Sequence, residues 1–181
     1  ETVLACIEVW GLEKALEKFV GMFAMAIWDK KNSELFLARD RFGEKPLYYG
    51  ICGDTFVFSS ELKAINLHPS FDNKIDKGAL CLYMRHNYVP TPYTIFKNIF
   101  KFRPGTYLKI GKNEKPKNYW SLEKSIENVT SYEGSFEDSL VSLDQKLTET
   151  VQLQMIADVS LGAFLSGGID SSLIVSKMQE V

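Results

Sequence analysis

One stretch near the end of the chain restricts its fold more than any other. Leu165-Ser166-Gly167-Gly168-Ile169-Asp170-Ser171-Ser172 lies between an apolar run and a helical repeat. The run Asp158-Val159-Ser160-Leu161-Gly162-Ala163-Phe164 reads as a short buried strand, and Ile169, Leu173, Ile174 and Met178 recur at helical spacing. A strand, a glycine turn and a helix N-terminus together favour an anion, because unpaired N–H groups and the helix dipole point at it. Gly167 and Gly168 can take positive φ and leave the backbone open to a close ligand. Ser166, Ser171 and Ser172 add hydroxyl donors. Asp170 is a candidate carboxylate for magnesium, which prefers one or two carboxylates beside phosphate oxygens. A polar cap on a glycine turn is the ordinary alternative, and the pairing of both glycines with Asp-Ser-Ser argues against it. Neither Gly-x-x-x-x-Gly-Lys-Ser/Thr nor Gly-x-Ser-x-Gly occurs, so the stretch is neither a Walker loop nor a nucleophile elbow.

The preceding chain has a different rhythm. Residues 2–10 and 12–19 read as helix broken at Gly11, and Met22 to Trp28 as a strand apolar on both faces and buried on both sides. Asp29 to Ser33 makes a polar turn, and Leu35 to Ala38 is the returning strand. Leu47 to Ile51 and Thr55 to Ser59 form a second pair, turned at Cys52-Gly53-Asp54. Ser59 or Ser60 is placed to cap a short helix, Glu61 to Asn66. Asp76 precedes a helix over 77–86, with Leu80, Tyr83 and Met84 on its apolar side, and Thr106 to Ile110 is a further strand. Successive antiparallel hairpins flanked by helices make an α+β arrangement. Residues 113–134 are polar and poor in large apolar side chains, an interdomain connection with Tyr119-Trp120 pinned to a domain surface. From Ser135 a long helix carries Phe136, Leu140, Leu143, Leu147, Val151 and Met155 as one stripe facing a core.

A second constellation, Arg39-Asp40-Arg41-Phe42-Gly43-Glu44-Lys45-Pro46, puts five charges between two strands. It reads either as a solvated turn held by weak local ion pairs or as an anchor for a domain interface. In the second reading Arg39 and Arg41 pair with carboxylates or backbone carbonyls.

Charge and composition exclude several classes. The formal net charge of the 181 residues is only −2, which gives no electrostatic case for nucleic acid or an anionic membrane. Apolar runs are too short to span a bilayer, and the expected compartment is a reducing cytoplasm. Cys6, Cys52 and Cys81 are scattered and odd in number, so neither a disulfide framework nor a zinc site is indicated. His68 and His86 lack metal-ligand spacing and read as surface or helix-end residues. The chain opens inside a helical pattern and stops in the helix after the glycine loop, so it reads as an internal piece of a longer protein.

Ser166-Gly167-Gly168-Ile169-Asp170-Ser171 resembles the pyrophosphate loop of ATP pyrophosphatases, enzymes that adenylate a carboxylate or carbonyl. Gly21 to Asp29, Ala38 to Tyr49 and Ser60 to Ala64 resemble the later part of the glutaminase domain of glutamine-hydrolysing asparagine synthetases. Arg103-Pro104-Gly105 and Tyr119-Trp120 are similar to the approach to the synthetase domain, and Asp158 to Gly162 with the glycine loop to its start. The resemblance covers essentially the whole chain in the family's order.

It implies residues 1–112 as the C-terminal part of an αββα N-terminal-nucleophile glutaminase domain, a class II amidotransferase. It implies 113–134 as a linker, and 135–181 as the truncated start of an α/β adenine-nucleotide-hydrolase-like domain. None of the glutaminase nucleophile residues is present: the family's N-terminal cysteine and its glutamine-binding residues fall upstream of Glu1, and Cys6, Cys52 and Cys81 inherit no such role. By resemblance Leu165 touches the adenine nucleotide, and Ser166, Gly167, Gly168, Ser171 and Ser172 cradle the departing pyrophosphate. Asp170 helps hold Mg2+. The implied reaction is ATP-dependent adenylation of the aspartate carboxylate, followed by amidation with ammonia from glutamine, releasing AMP and pyrophosphate. Glutamine, ATP and aspartate or a similar carboxylate are the implied partners, and the full-length protein is an expected homodimer. Relatives that amidate sugar acids in polysaccharide synthesis, β-lactam synthetases, a tRNA-modifying ATP pyrophosphatase and a catalytically dead scaffold are the alternatives.

Overall fold

The glycine that begins the architecture is Gly11, whose φ of 78° separates α1 (Thr2–Trp10) from α2 (Leu12–Lys18). A computed structural model describes residues 1–111, 115–127 and 129–181; Lys112, Asn113 and Glu114 of the expected boundary and connection, and Asn128, lie outside the described residues. The chain divides into two compact units, 1–127 and 128–181.

In the first unit β1 (Ala24–Asp29) and β2 (Glu34–Arg39) form the first hairpin. Asp29 fixes its turn by accepting from the Lys31 and Asn32 backbone N–H groups and from Asn32 Nδ2. β2 then pairs with β6 (Thr106–Lys109), which pairs with β7 (Lys117–Asn118), giving the order β1-β2-β6-β7. A second antiparallel sheet has the order β4-β3-β5, from β3 (Tyr48–Cys52), β4 (Thr55–Ser59) and β5 (Ile99–Lys101). Gly50 on β3 is obligatory, because a Cβ there would stand 2.1 Å from the Asn98 carbonyl oxygen.

Alternation along the strands sorts the side chains into layers. Leu37 and Leu108 of the first sheet meet Tyr49 and Phe56 of the second, with Leu47 and Phe102 flanking its strands, in a shared core. Ala38, Met25 and Tyr107 point to the opposite face, where Leu16 and Phe19 of α2 and its flank cover them. On the outer face of the second sheet Cys52, Tyr48, Val57 and Ile99 pack against Ile65 and Leu62 of α3 (Leu62–Asn66). The unit is thus layered helix, sheet, sheet, helix. α4 (Lys77–His86) follows, its N-terminus capped by Asp76, whose carboxylate accepts from Ala79 N–H at 3.0 Å.

Two sequence expectations fail here for physical reasons. β1 is the outermost strand of its sheet and is covered mainly around Met25, so Met22 and Trp28 are exposed rather than buried on both sides. β7 and α5 (Leu122–Glu127), expected in the connection, belong to the first unit, and Tyr119-Trp120 is pinned to that unit as expected. The Tyr119 and Trp120 N–H groups both bind the Gly105 carbonyl, and Tyr119 is buried against Leu16 and Ala38.

The charged stretch between β2 and β3 ties the layers together. Arg39 donates to the carbonyls of Gly43, Lys45 and Phe102 at 2.6, 2.7 and 2.6 Å. Arg41 closes the C-terminal end of α2 by donating to the Glu17 and Phe19 carbonyls. Asp40 is 1% exposed, and its carboxylate accepts four backbone N–H bonds: Phe42 and Glu44 on Oδ1, Phe23 and Lys45 on Oδ2. The Asp40 carbonyl also accepts from Gly43 and Gly105. These arginines pair with backbone carbonyls, as the second reading allowed, but the carbonyls belong to their own unit, so the stretch is an anchor inside that unit rather than a solvated turn.

In the second unit Ser135 and Asp138 form a reciprocal capping box at the start of α6 (Phe136–Gln154). Burial along the expected stripe rises toward the C-terminal end: Phe136, Leu140 and Leu143 are exposed, Leu147 and Met155 half-buried, Val151 buried. α7 (Ile169–Glu180) completes the unit.

Asp40→Ala removes the buried acceptor shared by four backbone N–H groups, and should lower stability by about 2 kcal/mol or more. Asp40→Asn should be almost as damaging, because either amide orientation sets an NH2 group against two N–H donors. Denaturant melts of both variants in the full-length protein check this; a near-normal midpoint for Asp40→Asn would count against it.

Tyr119 donates its hydroxyl to the Arg39 carbonyl at 2.8 Å, and burial pushes its pKa up to about 12, Arg41 opposing and Asp40 reinforcing the rise. The unfolded tyrosine loses its proton near 10, so above that pH the folded state holds more protons than the unfolded one and stability falls as pH rises. The contribution is full below pH 10 and is lost on the way to about 12. Tyr119→Phe should cost about 1 kcal/mol at neutral pH and flatten this alkaline decline, as followed by thermal melts across the range.

Candidate functional site

The glycine loop in the second unit is built by short-range contacts. Gly167 has φ 81°, the left-handed region that a side chain resists, and nothing lies within 4 Å of where its Cβ would be. Gly168 has ordinary extended backbone (φ −78°, ψ 162°) and is the residue before α7. Ser166 Oγ and Ser171 Oγ are 2.9 Å apart, Ser171 Oγ donates to the Gly168 carbonyl at 3.1 Å, and Gly168 N–H reaches Ser166 Oγ at 3.4 Å. The two serines thus bracket the turn. Ser172 N–H takes the first helical bond, to the Gly168 carbonyl at 3.1 Å. Gly168 supplies no side-chain cap, so the amides of the first turn of α7 keep the donor character of a helix N-terminus.

Asp170 stands exposed in that first turn, and Leu165 and Ile169 are exposed on either side of the glycines. All seven sequence-predicted residues, Leu165, Ser166, Gly167, Gly168, Asp170, Ser171 and Ser172, therefore fall on one turn and the helix start that follows it. The arrangement can cradle a multiply charged anion with backbone amides and hydroxyls. Among the described residues no group of three His, Cys, Asp or Glu side chains could hold a metal alone. One carboxylate beside an anion cradle fits magnesium only as a metal shared with phosphate oxygens.

One expectation fails. Asp158 to Phe164 is not a buried strand: Leu161 to Ser166 run without a ladder partner, and Phe164 is fully exposed. A strand exists through its neighbours, and residues 129–181 include no strand to pair with it.

Lys177 was invisible to the sequence reading. It is the buried residue of α7, and its amine lies 2.6 Å from Asp144 of α6 and 2.7 Å from Glu180. Hydrogen bonds to Asp144 and then Glu180 raise its pKa above the ordinary lysine value. The signal in the sequence was an unremarkable i, i+3 Lys-Glu pair, and the Asp144 partner lies 33 positions away (177 − 144).

Cys52 is buried among Ile65 and Ile99 with its thiol pKa pushed up by that burial, Cys6 lies within α1, and Cys81 is exposed on α4. His68 Nδ1 accepts from Ser70 N–H, and His86 ends α4 with its ring 6.2 Å from Tyr88, in keeping with local roles. Among the described residues, no helix is long and apolar enough to cross a membrane.

Comparison with known proteins gives independent information. Residues 1–120 match the family model described as a glutamine amidotransferase domain, and residues 142–181 match that of asparagine synthase. A Methanocaldococcus jannaschii protein, provisionally named asparagine synthetase (glutamine-hydrolyzing) 2, is 38% identical over 99% of the chain and 35% of its own length. Asparagine synthetases (glutamine-hydrolyzing) 1 and 3 of Bacillus subtilis are 39% and 37% identical, over 93% and 91% of the chain and 26% of each relative. The chain thus spans about a third or less of the length of these relatives. With a matching model over most of its length, the chain belongs to the glutamine amidotransferase domain family, and the start of an asparagine synthase domain follows in the same chain.

Proposed function

We propose that the full-length protein is a glutamine-dependent asparagine synthetase, an ATP-dependent carbon–nitrogen ligase, and that Ser166 to Ser172 form its pyrophosphate loop. The observation that carries this reading is the succession, in one chain, of an amidotransferase domain and an uncapped, serine-bracketed glycine turn opening a twelve-residue helix. The names of the relatives favour aspartate as the carboxylate over a sugar acid. In this reading the first unit is the later part of an N-terminal-nucleophile glutaminase domain, and the second unit is the start of the nucleotide domain. Action in the cytoplasm and a homodimer of the full-length protein belong to the same proposal.

A carboxylate is a poor electrophile, and transfer of AMP to its oxygen turns that oxygen into part of a good leaving group. The loop residues act on the other product. The amides after Gly167 and Gly168 stabilise the charge that develops on the departing pyrophosphate, and the hydroxyls of Ser166 and Ser171 turn from their bonds within the loop to join them, beside that of Ser172. Leu165, exposed beside the turn, offers an apolar surface to the adenine ring. Asp170 would hold magnesium, which when bound supplies charge neutralisation between the phosphates and this carboxylate. Without such a cation Asp170 would repel the ligand that the neighbouring amides attract, which is why the carboxylate and the anion cradle make sense together.

Asp170→Ala in the full-length protein should reduce ATP–pyrophosphate exchange by about a hundredfold or more, while leaving glutamine hydrolysis intact. Isotope exchange and glutaminase assays on the same preparation check it. Exchange at the parent rate in the variant would overturn the assignment of the loop.

A further inference from the structure

The loop itself is thinly held: its own ties are the Ser166–Ser171 bracket and the bonds to Gly168, while Phe164, Leu165 and Ile169 are exposed around it. Its position depends on where α7 sits, since α7 begins at the residue after Gly168. α7 lies against α6 with Val175 and Met178 half-buried and Leu173 and Ile174 partly exposed, so apolar packing along it is light. Against that background the burial of Lys177 is unusual. Its side chain is 8% exposed, yet it carries a charge, and it sits two turns along the helix from Asp170. A lysine stem can cover apolar surface while its amine reaches out to water. Here the amine is instead committed to Asp144 on α6 at 2.6 Å, with Glu180 completing the pair from its own helix.

We propose that Lys177 is a positioning residue for the ATP loop, its ion pair with Asp144 fixing α7 in register on α6 and thereby setting where the loop amides stand. The inference rests on reading Ser166 to Ser172 as that loop. Among the described residues this is the one ion pair that joins α6 to α7. Apolar contacts alone let a short helix slide or rotate on a neighbour, because they lack direction, whereas an ammonium on a buried stem, held at 2.6 and 2.7 Å by two half-exposed carboxylates, ties the helices at one register. Removing the charge leaves the apolar packing of the stem and releases the register. The amides then lose their alignment with the departing pyrophosphate, a loss that falls on nucleotide handling and leaves glutamine hydrolysis untouched.

The test uses the full-length protein, with Lys177→Met to keep the stem, Asp144→Asn to remove the partner, and the exchanged pair Lys177→Asp with Asp144→Lys. ATP–pyrophosphate exchange is read as kcat and KM for ATP, glutaminase turnover is read alongside, and amide hydrogen exchange is followed over Gly167 to Ser171. Lys177→Met and Asp144→Asn are each expected to lower kcat/KM for ATP by about tenfold, to speed amide exchange in the loop and to spare glutaminase turnover. The exchanged pair is expected to restore most of the loss. Parent-like ATP kinetics in both single variants would overturn the proposal, as would a loss of activity with loop amide exchange unchanged. Absence of exchange activity in the parent protein itself would instead overturn the loop assignment, and the inference with it.

Discussion

A single buried carboxylate organises the first unit. Asp40 leaves β2 between two arginines and turns inward, where four backbone N–H groups and the surrounding loop converge on it. Its own carbonyl holds Gly105, and the Gly105 carbonyl in turn holds Tyr119 and Trp120. Arg39 reaches across to the Phe102 carbonyl in the segment after β5, and Arg41 to the end of α2. Three consecutive residues therefore fasten both sheets, one helix layer and the chain that leads away from the unit. The energetic asymmetry of hydrogen bonding explains the arrangement: each bond gains little net, but each donor left unmatched inside costs heavily. A charge can be buried here because the backbone itself supplies its partners.

The hairpins were legible in the sequence because their information is local. Alternating apolar residues, a polar turn at Asp29 to Ser33 and the Cys52-Gly53-Asp54 turn each specify a pair of neighbouring strands. β5 and β7, three and two residues long, have no such signature: β5 exists only through β3, some fifty positions away, and β7 is too short for any alternation to show. The same dependence works in reverse at Leu161 to Ser166, where a strand-like sequence stays unpaired. Pattern reports what a segment can do; its neighbours decide whether it does it. Asp40 illustrates the limit well, since nothing in Arg-Asp-Arg distinguishes a solvated turn from a buried hub.

The candidate site divides along the same line. Ser166, Gly167, Gly168, Asp170, Ser171 and Ser172 could be read directly, because a turn followed by a helix start assembles its chemistry from adjacent residues. The support for that turn could not. Lys177 of the second unit meets Asp144 on another helix, and the same holds within the first unit, where Tyr119 meets the Arg39 carbonyl eighty positions away. The candidate loop is thus local in sequence, while the tertiary contacts around it are not.

In the function proposed for the full-length protein, ammonia released by its amidotransferase domain meets a carboxylate activated by ATP; this chain holds an amidotransferase domain match and the start of an asparagine synthase domain. The chemistry of the loop specifies the leaving group but not the acceptor, and the acceptor is where the account is most exposed. Its most direct measurement is pyrophosphate release by the full-length protein with ATP, magnesium and glutamine, comparing aspartate with other amino acids and sugar acids. The account predicts release that depends on aspartate, with AMP and asparagine formed in equal amounts. No response to aspartate, or the same release without any acceptor, would contradict it.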